Sequence, residues 1–187
     1  MEANRSRVRW TYEEYMRLPS EGSTRYEVID GELALTPSPG GPHQLAVSNV
    51  VRVLGTFAHE HGLGEVLPSP LDVLFGEGDY LQPDVLFVRA DRADLVGPRG
   101  IEGRPDLVIE ILSPSTAHRD RGTKLERYRH FGVPDYWIVD IDQRAVEVWR
   151  FAEGASEPEV LEAGEHFAWT PVPGGPTLEV AVADILP

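Results

Sequence analysis

Glu110 lies inside the apolar run Asp106-Leu107-Val108-Ile109-Glu110-Ile111-Leu112. An ionised carboxylate there is costly unless it is paired, hydrogen-bonded or bound to a metal. Asp84 follows Pro83 at the head of a second apolar run, Val85-Leu86-Phe87-Val88. If the two runs are adjacent strands, both carboxylates stand on one face within roughly 5 Å, a geometry that bridges one hard divalent ion. Plainer roles stay open: Glu110 as the buried partner of an arginine, Asp84 as the end of a turn.

The basic residues add a third group. Of 17 Lys plus Arg, 16 are arginine and one is lysine, Lys124. Ammonium is a compact, strongly hydrated point charge, whereas guanidinium is broad and planar, so a site needing the small cation resists replacement. Survival of one lysine by chance is the competing explanation. The chain has no cysteine, which excludes disulfides, thiolate metal sites and cysteine nucleophiles. A metal site must then use carboxylate, imidazole or carbonyl donors, a set that favours magnesium or manganese. The net charge of -14 argues against tight non-specific DNA binding, which rests on phosphate neutralisation by cations. Arg119 to His130 runs against that trend. It holds Arg119, Arg121, Lys124, Arg127 and Arg129 against Asp120 and Glu126, five cations to two acids and a local +3. This stretch is either a phosphate-facing patch or an ordinary solvated helix face.

These residues need elements to hold them. Trp10 to Leu18 reads as a short helix with a Thr11–Glu14 capping box. Arg25 to Ile29 and Glu32 to Thr36 flank Asp30-Gly31, a hairpin signal. After a Pro/Gly-rich loop over Thr36 to Pro42, apolar residues recur at helical spacing from His43 to His61, with Gly62 as the stop. Extended runs follow at Glu65 to Leu67, Leu71 to Phe75 and Leu81 to Val88, the last two expected to pair antiparallel about Gly76 to Asp79. Arg89 to Gly103 reads as an exposed connection. Asp106 to Leu112 reads as a strand covered on both faces. A helix over about Thr116 to Phe131, with a second capping box at Thr123 and Glu126, forms a crossover to a parallel strand at Tyr136 to Ile141. Ala145 to Phe151 returns, and the tail predicts a weak hairpin and a short helix around Val182 to Leu186. The order implies an α/β or α+β domain with a mixed sheet and helices against it. One domain over 1–187 is expected, with an N-terminal helix and hairpin extension (10–36), a core (42–151) and a C-terminal extension (152–187).

Pro83-Asp84 followed by Glu110 resembles the PD-(D/E)xK pattern of the restriction-endonuclease superfamily. The string Pro105 to Thr116, then Lys124, Tyr128, Gly132-Val133 and Tyr136-Trp137-Ile138-Val139-Asp140, is similar to the Uma-two family of endonucleases. Tyr26-Glu27-Val28-Ile29-Asp30-Gly31-Glu32 is similar to that family's opening motif. The resemblance runs from about Thr11 to Phe151 and implies a restriction-endonuclease-like core and a divalent metal, Mg or Mn, on Asp84 and Glu110. The superfamily lysine stands two residues after the second acid, where this chain has Leu112. Some members supply it from the neighbouring helix, and Lys124 lies there.

The implied chemistry is metal-assisted hydrolysis of a phosphodiester, with Asp84, Glu110 and Lys124 as the catalytic set. Glu27 or Glu32 is a candidate to reach the metal, with solvent exposure favoured slightly. His43 is a candidate contact to metal or phosphate, against the commoner role of a surface histidine. Tyr128, one turn beyond Lys124, either holds the site or packs the core. A catalytically inactive binding or assembly module on the same fold is the rival to a DNA endonuclease. Hydrolysis of another phosphate ester ranks last, since neither a glycine-rich phosphate loop nor a serine elbow is present. Neither a membrane span nor a secretory signal is read, so the cytoplasm is expected. A homodimer is expected from the commonness of twofold symmetry and the paired sites of many nucleases.

Overall fold

The computed structural model describes residues 9–19 and 25–187. Helix α1 (Tyr12–Met16) opens with both halves of the capping box between Thr11 and Glu14. Strands β1 (Arg25–Ile29) and β2 (Glu32–Thr36) form the expected hairpin. Its turn places Asp30 and Gly31 at positive φ, which that dipeptide tolerates. Helix α2 (Gly41–Glu60) starts two residues before His43, because Pro42 fits the first turn, where no amide hydrogen is needed. Next come β3 (Gly64–Pro68), β4 (Val73–Gly76), β5 (Asp79–Leu81) and β6 (Val85–Arg89).

The single strand expected over Leu81 to Val88 is two strands in different sheets. Pro83 lacks the amide hydrogen that a continuous ladder requires. The chain leaves β5 and crosses at Gln82-Pro83-Asp84 into β6, which pairs with β3 and with β9 (Leu107–Ile111). The expected antiparallel pair therefore forms between β4 and β5 only. Arg89 to Gly103 is also more ordered than a bare connection. It carries a 3-10 turn (Ala90–Leu95) and two short strands, β7 (Val96–Gly97) and β8 (Gly100–Ile101). Ile101 is fully buried and pairs with Val73 of β4.

After β9 the crossover helix is continuous but not uniform: α3 (Ala117–Arg119), a π-helical turn (Asp120–Lys124) and α4 (Leu125–His130). Thr123 lies within this helical run, so the second capping box does not form. Strands β10 (Asp135–Asp140), β11 (Ala145–Arg150), β12 (Glu159–Glu162), β13 (His166–Trp169) and β14 (Leu178–Ala181) precede α5 (Val182–Ile185).

Among the described residues the main sheet runs β12-β11-β10-β9-β6-β3, and β9 and β10 pair parallel across the helical crossover. The hairpin β1–β2 is more than an appendage. It is the edge of a second sheet, β2-β1-β5-β4-β8-β7. Strand alternation sorts the main sheet's faces. Leu107, Ile109 and Ile111 pack with Val85, Phe87 and Trp137 beneath α2 and α5. Val108, by contrast, packs with Leu125, Tyr128, Tyr136 and Ile138, together with Ile29 and Leu81 of the second sheet. Glu110 has the same parity as Val108, so it faces the helix and the second sheet. Among the described residues, no helix is long and apolar enough to cross a membrane.

Asp135 opens β10, and burial pushes its carboxyl up to about 6, with Arg150 opposing and Glu153 adding to the rise. A carboxyl whose folded pKa exceeds its unfolded value stabilises the fold only while protonated, so this contribution is lost as pH rises from about 4 through 6. Asp135→Asn is expected to raise Tm by a few degrees at pH 8, the size of effect that ~1 kcal/mol gives at this length. At pH 4 it should change little. A pH-independent difference in thermal denaturation would contradict this account.

Candidate active site

The crossing at Gln82-Pro83-Asp84 puts Asp84 at the seam between the sheets. Its Oδ2 accepts a hydrogen bond from the amide of Ile111 at 2.9 Å. The same oxygen lies 3.1 Å from His43 Nε2, on the first turn of α2, and Oδ1 lies 3.8 Å from the guanidinium of Arg25. The β6–β9 register pairs Val85 with Ile109. Extended by one step, it sets Asp84 across from Glu110.

Glu110 receives two bonds on Oε1, from Lys124 Nζ at 2.9 Å and Tyr128 Oη at 2.7 Å. Lys124 Nζ also sits 2.9 Å from Glu27 Oε1 and 3.7 Å from Asp120 Oδ1. Glu27 is fixed in turn by the amide of Gln82, which donates to Oε1 at 2.9 Å, and by the Thr36 hydroxyl at 3.4 Å from Oε2. The expected proximity of Tyr128 to Lys124 holds, and Tyr128 is also a fully buried core residue.

The electrostatics follow from burial. Burial pushes the Glu110 carboxyl well up; the Lys124 ammonium opposes this, while Asp120, Asp84 and Glu27 add to it. For Lys124, burial acts to lower the pKa, but the carboxylates of Glu110, Glu27 and Asp120 outweigh it and hold the ammonium charged. Burial, then the charge of Glu110, raises Tyr128, so its hydroxyl stays a donor.

Glu27, His43, Asp84, Glu110, Asp120 and Lys124 line one cavity of about 90 Å³, walled also by Arg25, Gln82, the loop Thr36 to Gly40 and Ser113, Ser115 and Thr116. Asp84, Glu110 and Lys124 come together, with Glu27 and His43 beside them. Glu32 does not join them: it is exposed, paired with Ile29 at the turn end of the hairpin. The four arginines do not act as one patch. Arg121 is held by Asp140 and Glu147, and Arg127 is bidentate on the buried Asp79. Arg129 lies over the rings of Trp149 and Phe151. Arg119 is the one nearest the cavity, donating to the carbonyl of Leu35 beside the cavity-lining Thr36. Among the cavity residues that escaped the sequence reading are Arg25, Gln82 and Asp120. Asp120 alone left a signal, its spacing four residues before Lys124.

The sequence profile of the family Uma2, described as "Putative restriction endonuclease", matches residues 12–182. The chain belongs to the Uma2 family. Among solved structures, the crystal structure of a putative nuclease belonging to DUF820 from Anabaena variabilis is similar to it. The TM-score is 0.77 at 23% identity, covering 94% of this chain and 97% of that one. That likeness carries the fold alone. No curated protein matches the chain in sequence.

The Uma2 pocket suits a hard divalent ion in its chemistry. Glu27, Asp84, Glu110 and Asp120 bring four carboxyl groups against the two full cations Arg25 and Lys124. Asp120 Oδ1 is buried without a hydrogen-bond partner. Among the described residues, however, no group of three or more His, Asp or Glu side chains forms a ready cage. The fit is thus to an ion held by a pair of carboxylates with water completing its shell, the habit of magnesium.

Lys124→Met leaves Glu27 and Glu110 buried without their cation. It is expected to cost about 3–5 kcal/mol at pH 8, as losing one partner of a buried pair does. The loss should shrink toward pH 5, because Glu110, already pushed upward, then takes up a proton. Urea denaturation at the two pH values reads this out, and an equal loss at both would overturn it.

Proposed function

We propose that this chain is a metal-dependent endonuclease that hydrolyses DNA phosphodiester bonds. The observation that carries the reading is the convergence of Asp84, Glu110 and Lys124 on one cavity, with Lys124 Nζ 2.9 Å from Glu110. Asp84 and Glu110 would hold Mg or Mn. The ion would supply Lewis acidity and neutralise charge at the scissile phosphate. Lys124 stabilises the negative charge that develops on the phosphoryl oxygens. Tyr128 and Glu27 are positioning residues, which fix Glu110 and the ammonium, and the amide of Ile111 and the ring of His43 aim Asp84. Arg119 and Arg25 would meet the DNA backbone. Phosphoryl transfer is mostly positioning and electrostatics, so this small set suffices. The enzyme is cytoplasmic and acts as a homodimer in this reading, one site for each strand.

One observation favours a second reading, a catalytically inactive binding or assembly module. The ammonium of Lys124 is already engaged by two carboxylates. Plasmid cleavage in Mg or Mn separates the two. Wild type is expected to nick and linearise DNA, and Glu110→Ala to lose at least ~10²-fold in rate. Lys124→Arg should also fall, because the planar guanidinium does not fit the ammonium's place. A wild-type protein that cuts no nucleic acid in either metal would overturn the endonuclease reading.

A further inference from the structure

Asp120 is the acid of the pocket that the protein leaves incomplete. It is 2% exposed, and its Oδ1 is buried with no hydrogen bond. The Lys124 ammonium stands 3.7 Å away, beyond hydrogen-bond length. Asp120 nevertheless forms part of the cavity wall with Asp84 and Glu110. A buried carboxylate oxygen whose neighbouring ammonium stands beyond hydrogen-bond length is unfavourable unless a further cation or a donor completes it. Burial raises the Asp120 carboxyl; Lys124 and the Thr116 side chain oppose this, while Asp84 and Glu27 add to it.

Local backbone geometry points the same way. Asp120 begins the π-helical turn Asp120–Lys124, with α-helix on either side. Such wide turns are rare, and they recur at functional sites because they re-aim side chains. This one is braced: the Tyr136 hydroxyl donates to the Asp120 carbonyl at 2.9 Å. Both ends of the turn, Asp120 and Lys124, line the cavity.

We propose that Asp120 is the third carboxylate of the metal site, a positioning residue that accepts a hydrogen bond from a water of the cation held by Asp84 and Glu110. The proposal rests on the reading that this pocket takes a divalent ion. Contact through water agrees with the lack of a direct three-residue cage among the described residues. It also suits a cavity of about 90 Å³, which has room for an ion and part of its water shell.

The test is Mn²⁺ titration by calorimetry, with Tm in EDTA, on the full chain as wild type, Asp120→Asn and Asp84→Asn. Asp120→Asn is expected to keep or raise Tm in EDTA, since it relieves a buried charge, while Mn²⁺ affinity falls 10–100-fold, the range for outer partners of a metal site. Asp84→Asn should bind no Mn²⁺ saturably. Unchanged Mn²⁺ affinity in Asp120→Asn, beside a wild type that binds, overturns the role of Asp120 and leaves the metal site standing. A wild type that takes up no Mn²⁺ overturns the metal reading itself. Should Asp120→Asn fail to fold, Asp120→Ser, smaller and uncharged, is read by the same criteria.

Discussion

A single buried ammonium joins three parts of this molecule. Lys124 comes from the crossover helix, Glu27 from the second sheet and Glu110 from the main sheet, and both carboxylates stand 2.9 Å from its nitrogen. Three charges taken out of water are expensive, and only close mutual contact and further hydrogen bonds offset that expense. Tyr128, the Gln82 amide and Thr36 supply those bonds. The cluster therefore fixes how helix and sheets meet, and the cavity beside it inherits its shape.

That arrangement makes one pocket serve both stability and chemistry. Structural ion-pair networks and active sites shift pKa values by the same physics, so shifted values alone do not distinguish them. The distinction lies in what stays unfinished. Lys124 and Glu27 have partners in full, whereas Asp120 retains a buried oxygen without one. Asp84, its Oδ2 held by the Ile111 amide, faces the same space. Acids outnumber cations there, as they do in the chain as a whole.

Much of the layout was legible in the residues. The β1–β2 hairpin follows from Asp30-Gly31, the buried β9 from its unbroken apolar run, and the parallel β10 from the helical stretch before it. The pairing of Asp84 with Glu110 followed from strand chemistry, and Lys124 from its rarity. The division of Leu81 to Val88 between two sheets was missed because apolar periodicity continues across Pro83 while hydrogen bonding does not. Glu27 and Glu32 look alike in sequence. They part in the fold because Glu27 sits on an inner pairing beside β5, while Glu32 begins the outermost strand. The arginines do not form one patch because Arg121 and Arg127 found acids, Arg129 found rings and Arg119 found a carbonyl, contacts too distant in the chain to be read from spacing. The π turn that carries Asp120 has no sequence signature, since it reflects packing against Tyr136 and β9.

The short crossing from β5 to β6 has a consequence for how this fold tolerates change. Three residues, Gln82, Pro83 and Asp84, span the step between sheets, and two of them hold the pocket through a backbone amide and a carboxylate. An added or deleted residue there would shift strand parity and turn Asp84 away from Glu110. The stretch from Ala90 to Gly103 lies at the opposite end of β6 and lines no part of the cavity. A length change at one end of β6 therefore spares the cavity, whereas one at the other dismantles it.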